Sequence, residues 1–145
     1  MSRIDLTTAA PEAYRTALGL ETYVRANVDH RVLELIKLRA SMLNGCAFCV
    51  DMHSRDALEA GESTRRLFAV SAWREAPFFD ERERAALALT DAVTRLGDEG
   101  VPDDVWDEAA RFWSDKELVD LLMAISAINM WNRLGVATRT RPPAS

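Results

Sequence analysis

Hydrophobic residues recur every three or four positions along almost the whole chain, which is the spacing of one face of an α-helix. Alternation of hydrophobic and polar residues never lasts long enough to predict a strand. Residues typical of helix starts and ends divide the pattern into seven predicted helices. They cover residues 11–24, 29–43, 46–61, 63–77, 80–97, 102–113 and 114–135. The connections are short, so we expect an all-α antiparallel helical bundle that forms a single domain over residues 1–145.

A few residues with clear local chemistry set these boundaries. Asp29 is placed to cap the second helix, and Asn44-Gly45 is expected to stop it. Ser114 and Glu117 have the spacing of a capping box at the start of the last helix. Gly135 is expected to end that helix. The segment from about residue 136 onward is therefore predicted to be a tail that is disordered or extended over a partner.

The last helix is hydrophobic almost all round, which is typical of a helix at the centre of a fold or in a subunit contact. We expect a homo-oligomer, although the core of a large monomer would use the same residues. The polar residues Ser126, Asn129 and Asn132 recur at a spacing of three on this helix. Such a set usually forms hydrogen bonds between helices.

Composition narrows the classes of partner. The chain has 48% hydrophobic and 28% charged residues and a net charge of −5, with both signs interspersed. It has no glycine-rich phosphate loop and no basic stripe, so nucleotides and nucleic acids are not expected as partners. No hydrophobic run reaches the roughly 20 residues that span a bilayer, and the N-terminus lacks the hydrophobic segment of a signal peptide. We therefore expect a cytoplasmic protein with no membrane contact.

The stretch "NGCAFCVDMH" holds both cysteines and one of the two histidines of the chain. On a helix, Cys46, Cys49 and His53 share one face, and the two sulfurs are close enough to form a disulfide. An imidazole four residues beyond Cys49 can accept its proton, whereas the helix N-terminus favours a thiolate at Cys46. Spacing alone therefore leaves open which cysteine attacks and which resolves.

Glu34 is the acidic residue best placed to join this group. If the second and third helices fold back at Asn44-Gly45, Glu34 lies about 15 Å from the turn and His53 about 12 Å. The two side chains would then lie side by side across the two helices, where the carboxylate would fix the tautomer of the imidazole and strengthen it as a base. The ordinary alternative is a surface ion pair between Glu34 and Lys37.

Zinc is the competing interpretation of the same residues. Two thiolates, His53 and either Glu34 or a water could bind it, but ligands on one helix lie in a row rather than around a tetrahedron. We therefore predict no metal and no cofactor. His30 is expected to be solvated and structural, and a chance pair of buried cysteines is the remaining alternative.

The spacing Glu34, eleven residues, Cys46-X-X-Cys49, three residues, His53 resembles the motif of the AhpD-like alkylhydroperoxidases, within the carboxymuconolactone decarboxylase family. "ELIKLRASMLNGCAFCVDMHSRDALEAGE" and "AWREAPFFDERERAALALTDAVT" are similar to its single-domain branch. The resemblance implies a trimer or hexamer with cofactor-independent thiol peroxidase chemistry. It implies that Cys49 reacts with peroxide, that Cys46 resolves, and that Glu34 and His53 relay protons. Phe48 is a departure, because the best-known members have a histidine there.

The expected function is thus that of an oxidoreductase acting on peroxide, with peroxiredoxin-type antioxidant activity. It would reduce organic hydroperoxides through a disulfide cycle and be re-reduced by an external dithiol protein. Two alternatives remain. One is a redox sensor or thiol-exchange module without peroxide turnover. The other is a lactone decarboxylase using acid–base chemistry, which has no need of two thiols.

Overall fold

The computed structural model describes residues 1–144, and this part of the chain contains eight α-helices and no strand. The helices are α1 (Leu6–Ala9), α2 (Pro11–Asn27), α3 (His30–Asn44), α4 (Ala47–Glu59), α5 (Thr64–Ala69), α6 (Glu81–Thr94), α7 (Asp103–Phe112) and α8 (Asp115–Thr138). The predicted all-α class is confirmed.

The helix starts follow the capping residues in the sequence. The Asp29 carboxylate accepts a hydrogen bond from the amide of Val32 and begins α3. Reciprocal capping boxes begin α6 and α8, and the second of these joins Ser114 and Glu117. Each box gives partners to amide groups that the first helical turn leaves unpaired.

The end of α8 differs from the prediction. The helix continues through Gly135 to Thr138, and Arg139 takes the left-handed conformation that ends it, with φ of 56°. The amide of Thr140 then donates to the carbonyl of Gly135 at 2.9 Å. The tail predicted from residue 136 was therefore wrong for residues 136–138, which are helical; Ser145 lies outside the described residues.

Smaller differences have local causes. The four-residue helix α1 was not predicted, because a segment that short shows no hydrophobic period; Asp5 caps it. Beyond α5 the chain forms one 3₁₀ turn at Val70–Ala72 instead of a helix up to Pro77. The guanidinium of Arg84 donates to carbonyls of residues 73, 74 and 76, which replaces the helical hydrogen bonds there. Pro102 caps α7 and does not form its first turn.

Helices α3 and α8 lie at the centre of the fold, with α2, α4 and α6 packed around them. Helix α3 is buried on nearly every side, including the charged Lys37, whose ammonium group bonds to Glu21 on α2. Although α8 has 24 residues, neither it nor any other helix within residues 1–144 combines the length and hydrophobicity needed to cross a bilayer.

Candidate active site

The turn between α3 and α4 is held in place by α8. Gly45 takes the left-handed conformation with φ of 66°, which costs glycine little. The side-chain amide of Asn44 donates to the side-chain oxygens of Asn129 at 2.9 Å and Asn132 at 3.0 Å. The interhelical hydrogen bonds predicted for these two asparagines are present, whereas Ser126 is exposed. The position at which α4 begins is thus fixed from outside the helix.

Cys46 is the capping residue of α4, and its sulfur accepts a hydrogen bond from the amide of Cys49 at 3.3 Å. The two cysteines form a disulfide, with 5.3 Å between their Cα atoms. Both side chains are buried. The capping geometry therefore brings together the two sulfurs that the sequence predicted could bond to each other.

Gly135 on α8 lies directly against the disulfide. A Cβ atom at this position would be 3.2 Å from the sulfur of Cys46 and 3.9 Å from that of Cys49. The first distance is shorter than ordinary van der Waals contact. The absence of a side chain at Gly135 therefore allows α8 to pack closely on the sulfurs.

Glu34 and His53 meet across the interface between α3 and α4. The Oε2 atom of Glu34 lies 3.6 Å from Nδ1 of His53, and both side chains are almost completely buried. Neither carboxylate oxygen of Glu34 has a hydrogen-bond partner, and neither does Nδ1 of His53. Lys37 pairs with Glu21, so the ordinary interpretation of Glu34 as half of a surface ion pair with Lys37 was wrong.

The electrostatics of Glu34 favour its charged form. Burial raises the pKa of this carboxyl, but the neighbouring His53, Lys37 and His30 together lower it by more. The net pKa is below the ordinary value for glutamic acid. Glu34 is therefore a carboxylate at neutral pH, able to hold the imidazole in one orientation.

A cavity of about 540 Å³ reaches Cys49 and His53 from one side. Its other lining residues include the hydrophobic or aromatic side chains of Phe48, Met52 and Trp131. Cys49 is among the lining residues and Cys46 is not, so Cys49 is the cysteine that borders this space. Phe48, one of the two residues between the cysteines, therefore contributes hydrophobic surface where the best-known family members have histidine.

The N-terminal segment covers part of this cavity. Residues 2 and 4–7 contribute to its lining. The amide of Arg3 donates to the carbonyl of Thr138 at 2.7 Å, and its guanidinium donates to the carbonyl of Ala137 at 3.2 Å. The beginning of the chain is thereby attached to the end of α8.

A second cavity, of about 310 Å³, lies on the other side of the pair. Glu34 lines it together with His30, Arg31, Gly61 and Glu62. His30, which the sequence analysis left without a role, is exposed at this cavity. Because His53 lines the larger cavity and Glu34 the smaller one, the Glu34–His53 pair separates the two.

Asp56 is the residue of this site that the sequence analysis missed. One ligand atom from each of Glu34, His53 and Asp56 can be chosen so that all three lie within 4.8 Å of one another. Asp56 follows His53 by three positions on α4, so helical spacing was a signal that could have found it. The sulfurs that the zinc interpretation required are bonded to each other here.

A bundle of α-helices with a buried Cys-X-X-Cys disulfide beside a Glu–His pair defines a class of helical dithiol proteins. Residues 9–92, more than half of the chain, match the model of the carboxymuconolactone decarboxylase family. The chain belongs to this family.

Individual relatives agree with this assignment. The uncharacterized protein YdfG of Bacillus subtilis is 36% identical over 140 residues, covering 96% of this chain and 95% of YdfG. A crystal structure from Agrobacterium tumefaciens, of a protein of unknown function described as a candidate antioxidant defence protein AhpD, is 44% identical with a TM-score of 0.97 over 100% of both chains. The predicted AhpD-like fold is confirmed.

A third similar structure is that of the debrominase Bmp8. It is 23% identical, with a TM-score of 0.83, and the match covers 95% of this chain and 75% of Bmp8. At that identity the likeness is one of fold.

Proposed function

We propose that the protein is a cofactor-independent thiol peroxidase that reduces organic hydroperoxides through a disulfide between Cys46 and Cys49. The observation that carries the proposal is the shared cavity: Cys49 and His53 both line it, and Cys46 is already bonded to Cys49. A nucleophile, a base and a resolving thiol are the groups that such a cycle requires.

In the reduced protein, His53 would accept the proton of the Cys49 thiol, since it lies one helical turn further along α4. The thiolate attacks the outer oxygen of the hydroperoxide, and the O–O bond breaks. Cys49 is oxidised to a sulfenic acid, and the alkoxide takes the proton from His53 and leaves as the alcohol.

Cys46 then completes the oxidative half of the cycle. Its thiol condenses with the sulfenic acid of Cys49, which forms the disulfide and releases water. An external dithiol protein would reduce the disulfide by exchange: it supplies the two electrons and leaves as a disulfide itself. Because Cys49 lines the cavity and Cys46 does not, we assign Cys49 the attack on peroxide and Cys46 the resolving step.

The cavity supports an organic substrate. It has a volume of about 540 Å³ and an aromatic and aliphatic lining around Cys49. Small-molecule sites with such a lining retain ligands mainly through burial of hydrophobic surface. Hydrogen peroxide offers no hydrophobic surface, so we expect organic hydroperoxides to react faster.

Stopped-flow peroxide consumption with the Cys49→Ser and Cys46→Ser variants tests the proposal. Cys49→Ser should consume no peroxide above background. Cys46→Ser should react once and stop at a sulfenic acid, which mass spectrometry detects as one added oxygen on the peptide that holds Cys49. A Cys49→Ser variant as active as the unmodified protein would end the assignment.

Glu34 is proposed as a positioning residue that acts through His53. Glu34→Gln removes the negative charge that lies 3.6 Å from Nδ1 of His53. The ion pair of the Cys49 thiolate and the His53 imidazolium is then less stable. We expect the rate of Cys49 oxidation to fall about tenfold or more, with the midpoint of its pH profile moved upward. Glu59→Gln, an exposed change on α4, the helix that carries Cys49 and His53, is the control and should alter neither. An unmoved pH profile in Glu34→Gln would remove Glu34 from the relay.

A redox sensor is the second candidate, because the disulfide is buried and partly covered by the N-terminal segment. A sensor would form the disulfide reversibly but would not turn over peroxide in the presence of a dithiol reductant. The same stopped-flow assay, run over many turnovers with excess reductant, separates the two functions.

A homo-oligomer, trimeric or hexameric, is part of the proposal. Helix α8 exposes the hydrophobic side chains Val119, Met123 and Val136, which a second copy could cover. Light scattering coupled to size-exclusion chromatography gives the assembly mass directly. A monomer at micromolar concentration would exclude this part of the proposal.

A further inference from the structure

Three buried or half-buried donor groups meet where α3 and α4 pack together. They are a carboxylate oxygen each of Glu34 and Asp56 and a ring nitrogen of His53, all within 4.8 Å of one another. Glu34 and His53 are 3% and 2% exposed, so water solvates them little. Two carboxylates and an imidazole form a donor set that divalent transition metals bind in proteins.

A second observation points to a ligand at this position. Both side-chain oxygens of Glu34 and the Nδ1 atom of His53 are buried without a hydrogen-bond partner. Buried polar atoms are nearly always paired, and exceptions usually mark a bound water, an ion or a functional group. The carboxylate of Glu34 and the imidazole of His53 are adjacent, with 3.6 Å between Oε2 and Nδ1.

We propose that Glu34, His53 and Asp56 form a binding site for one divalent transition-metal cation, with Zn²⁺ as the probe. Donors around an ion with bonds of about 2.1 Å lie at most about 4.2 Å apart, which the Glu34–His53 separation already satisfies. Asp56 is only half-buried, so its carboxylate can rotate to close the remaining few tenths of an ångström. The cavity that Glu34 lines provides a path for the ion and space for a water as fourth ligand.

Because Nδ1 of His53 is the nitrogen next to Glu34, an ion held between them through that atom would leave Nε2 free to serve Cys49. An ion bound here would occupy the lone pair that the Glu34–His53 relay needs, and it would therefore slow peroxide turnover. That consequence rests on the proposed function. Binding itself does not, because it requires no thiol.

Calorimetric titration of the oxidised protein with Zn²⁺ tests the site without interference from thiolates, since both cysteines are then held in the disulfide. We expect one Zn²⁺ per chain. Asp56→Asn should weaken binding by about tenfold or more, because even indirect partners of metal ligands affect affinity by that much. Glu59→Gln removes an equal charge from the exposed face of α4 and should leave the affinity unchanged.

Nitrogen NMR of the imidazoles gives an independent readout, and the chain has only two histidines to assign. Zn²⁺ should shift the Nδ1 resonance of His53 and leave that of His30 in place. The inference is overturned if the oxidised protein shows no saturable binding, if Asp56→Asn binds as tightly as the unmodified protein, or if only His30 responds. None of these results depends on whether the protein reduces peroxides.

Discussion

Gly135 is the residue whose small size has the largest effect on the site. It lies within α8, where glycine costs about 1 kcal/mol relative to alanine, yet a Cβ atom there would be 3.2 Å from the sulfur of Cys46. Gly19 is a matched case, since it lies within α2 with no atom within 4 Å of its missing Cβ. The two glycines separate the effect of helix propensity from that of contact with the disulfide.

Gly19→Ala should raise the free energy of unfolding by about 1 kcal/mol in both redox states. Gly135→Ala should gain less in the oxidised protein than in the reduced one, by about 1 kcal/mol, because only the free thiol of Cys46 can rotate away from the new methyl group. Chemical denaturation of both variants in both redox states measures this difference. Equal gains for Gly135→Ala in the two states would show that the contact with Cys46 is without energetic effect.

At this scale the sequence predicted the residues with distinctive chemistry and missed those that act through position. The pairing of Cys46 with Cys49 and the proximity of Glu34 to His53 were predicted from their positions on two antiparallel helices, with the family resemblance deciding for Glu34. Their catalytic roles stay predictions. Gly135 lies 86 residues beyond Cys49, and its contact with the sulfurs depends on how α8 packs, which no local pattern contains. Its resemblance to a helix-ending glycine led to the wrong end for α8.

Among the helices, Asp91 on α6 joins two other parts of the fold to its own helix. Its carboxylate accepts hydrogen bonds from Arg39 on α3 at 2.7 Å and from the indole of Trp73 at 3.2 Å, and it pairs with Arg74 at 2.6 Å. Burial raises the pKa of Asp91, but Arg39, Arg74 and the indole of Trp73 together lower it by more, so the net pKa lies below the ordinary value for aspartic acid. The segment after the 3₁₀ turn is thereby attached to the two helices behind it.

Asp91→Asn should lower the free energy of unfolding by about 3 kcal/mol near neutral pH, since it leaves two guanidinium groups without their carboxylate. The folded-state pKa is depressed, so the contribution is present above the unfolded value near 3.8 and is lost as pH falls through the folded value. Urea denaturation at a series of pH values should therefore show the gap between variant and unmodified protein closing only below about pH 4. Asp107→Asn, an exposed change on α7, is the control; a gap that stays constant into acid would contradict the argument.

Helix starts were predicted better than helix ends, for a physical reason. A start depends on a capping side chain within three residues, as at Asp80 and Ser114, so it can be read locally. The interruption after Ala69 depends on Arg84, which comes from a different helix and replaces the hydrogen bonds of the α-helical form. A short stretch of sequence does not show which distant side chain will donate these hydrogen bonds, so the end of the helix could not be predicted from it.

At the scale of the whole molecule, the two ends of the described chain meet over the cavity. Arg3 holds them together through its amide and its guanidinium, which donate to carbonyls near the end of α8. Access of a large reductant to Cys49 should therefore depend on local opening of this contact, which costs less than global unfolding. That residues 1–145 form a single domain stays a prediction, as does the oligomeric state.

Arg3→Ala removes one of these hydrogen bonds, and Arg3→Pro removes both because proline has no amide hydrogen. If each bond contributes about 1 kcal/mol, each loss should raise the population of the open state about fivefold. We expect the rate of disulfide reduction by a protein dithiol to rise in that order, while the rate with a small phosphine changes less. Identical rates for all three proteins would show that the N-terminal segment does not limit access.

The separation of the two cavities by Glu34 and His53 has a consequence for catalysis under the proposed function. Organic molecules would enter and leave through the larger cavity beside Cys49, and protons would exchange with bulk solvent through the smaller cavity beside Glu34. A long-chain alcohol product that dissociates slowly from the larger cavity would not delay proton exchange at the Glu34–His53 pair. Product release and restoration of the protonation state of this pair would then proceed at the same time.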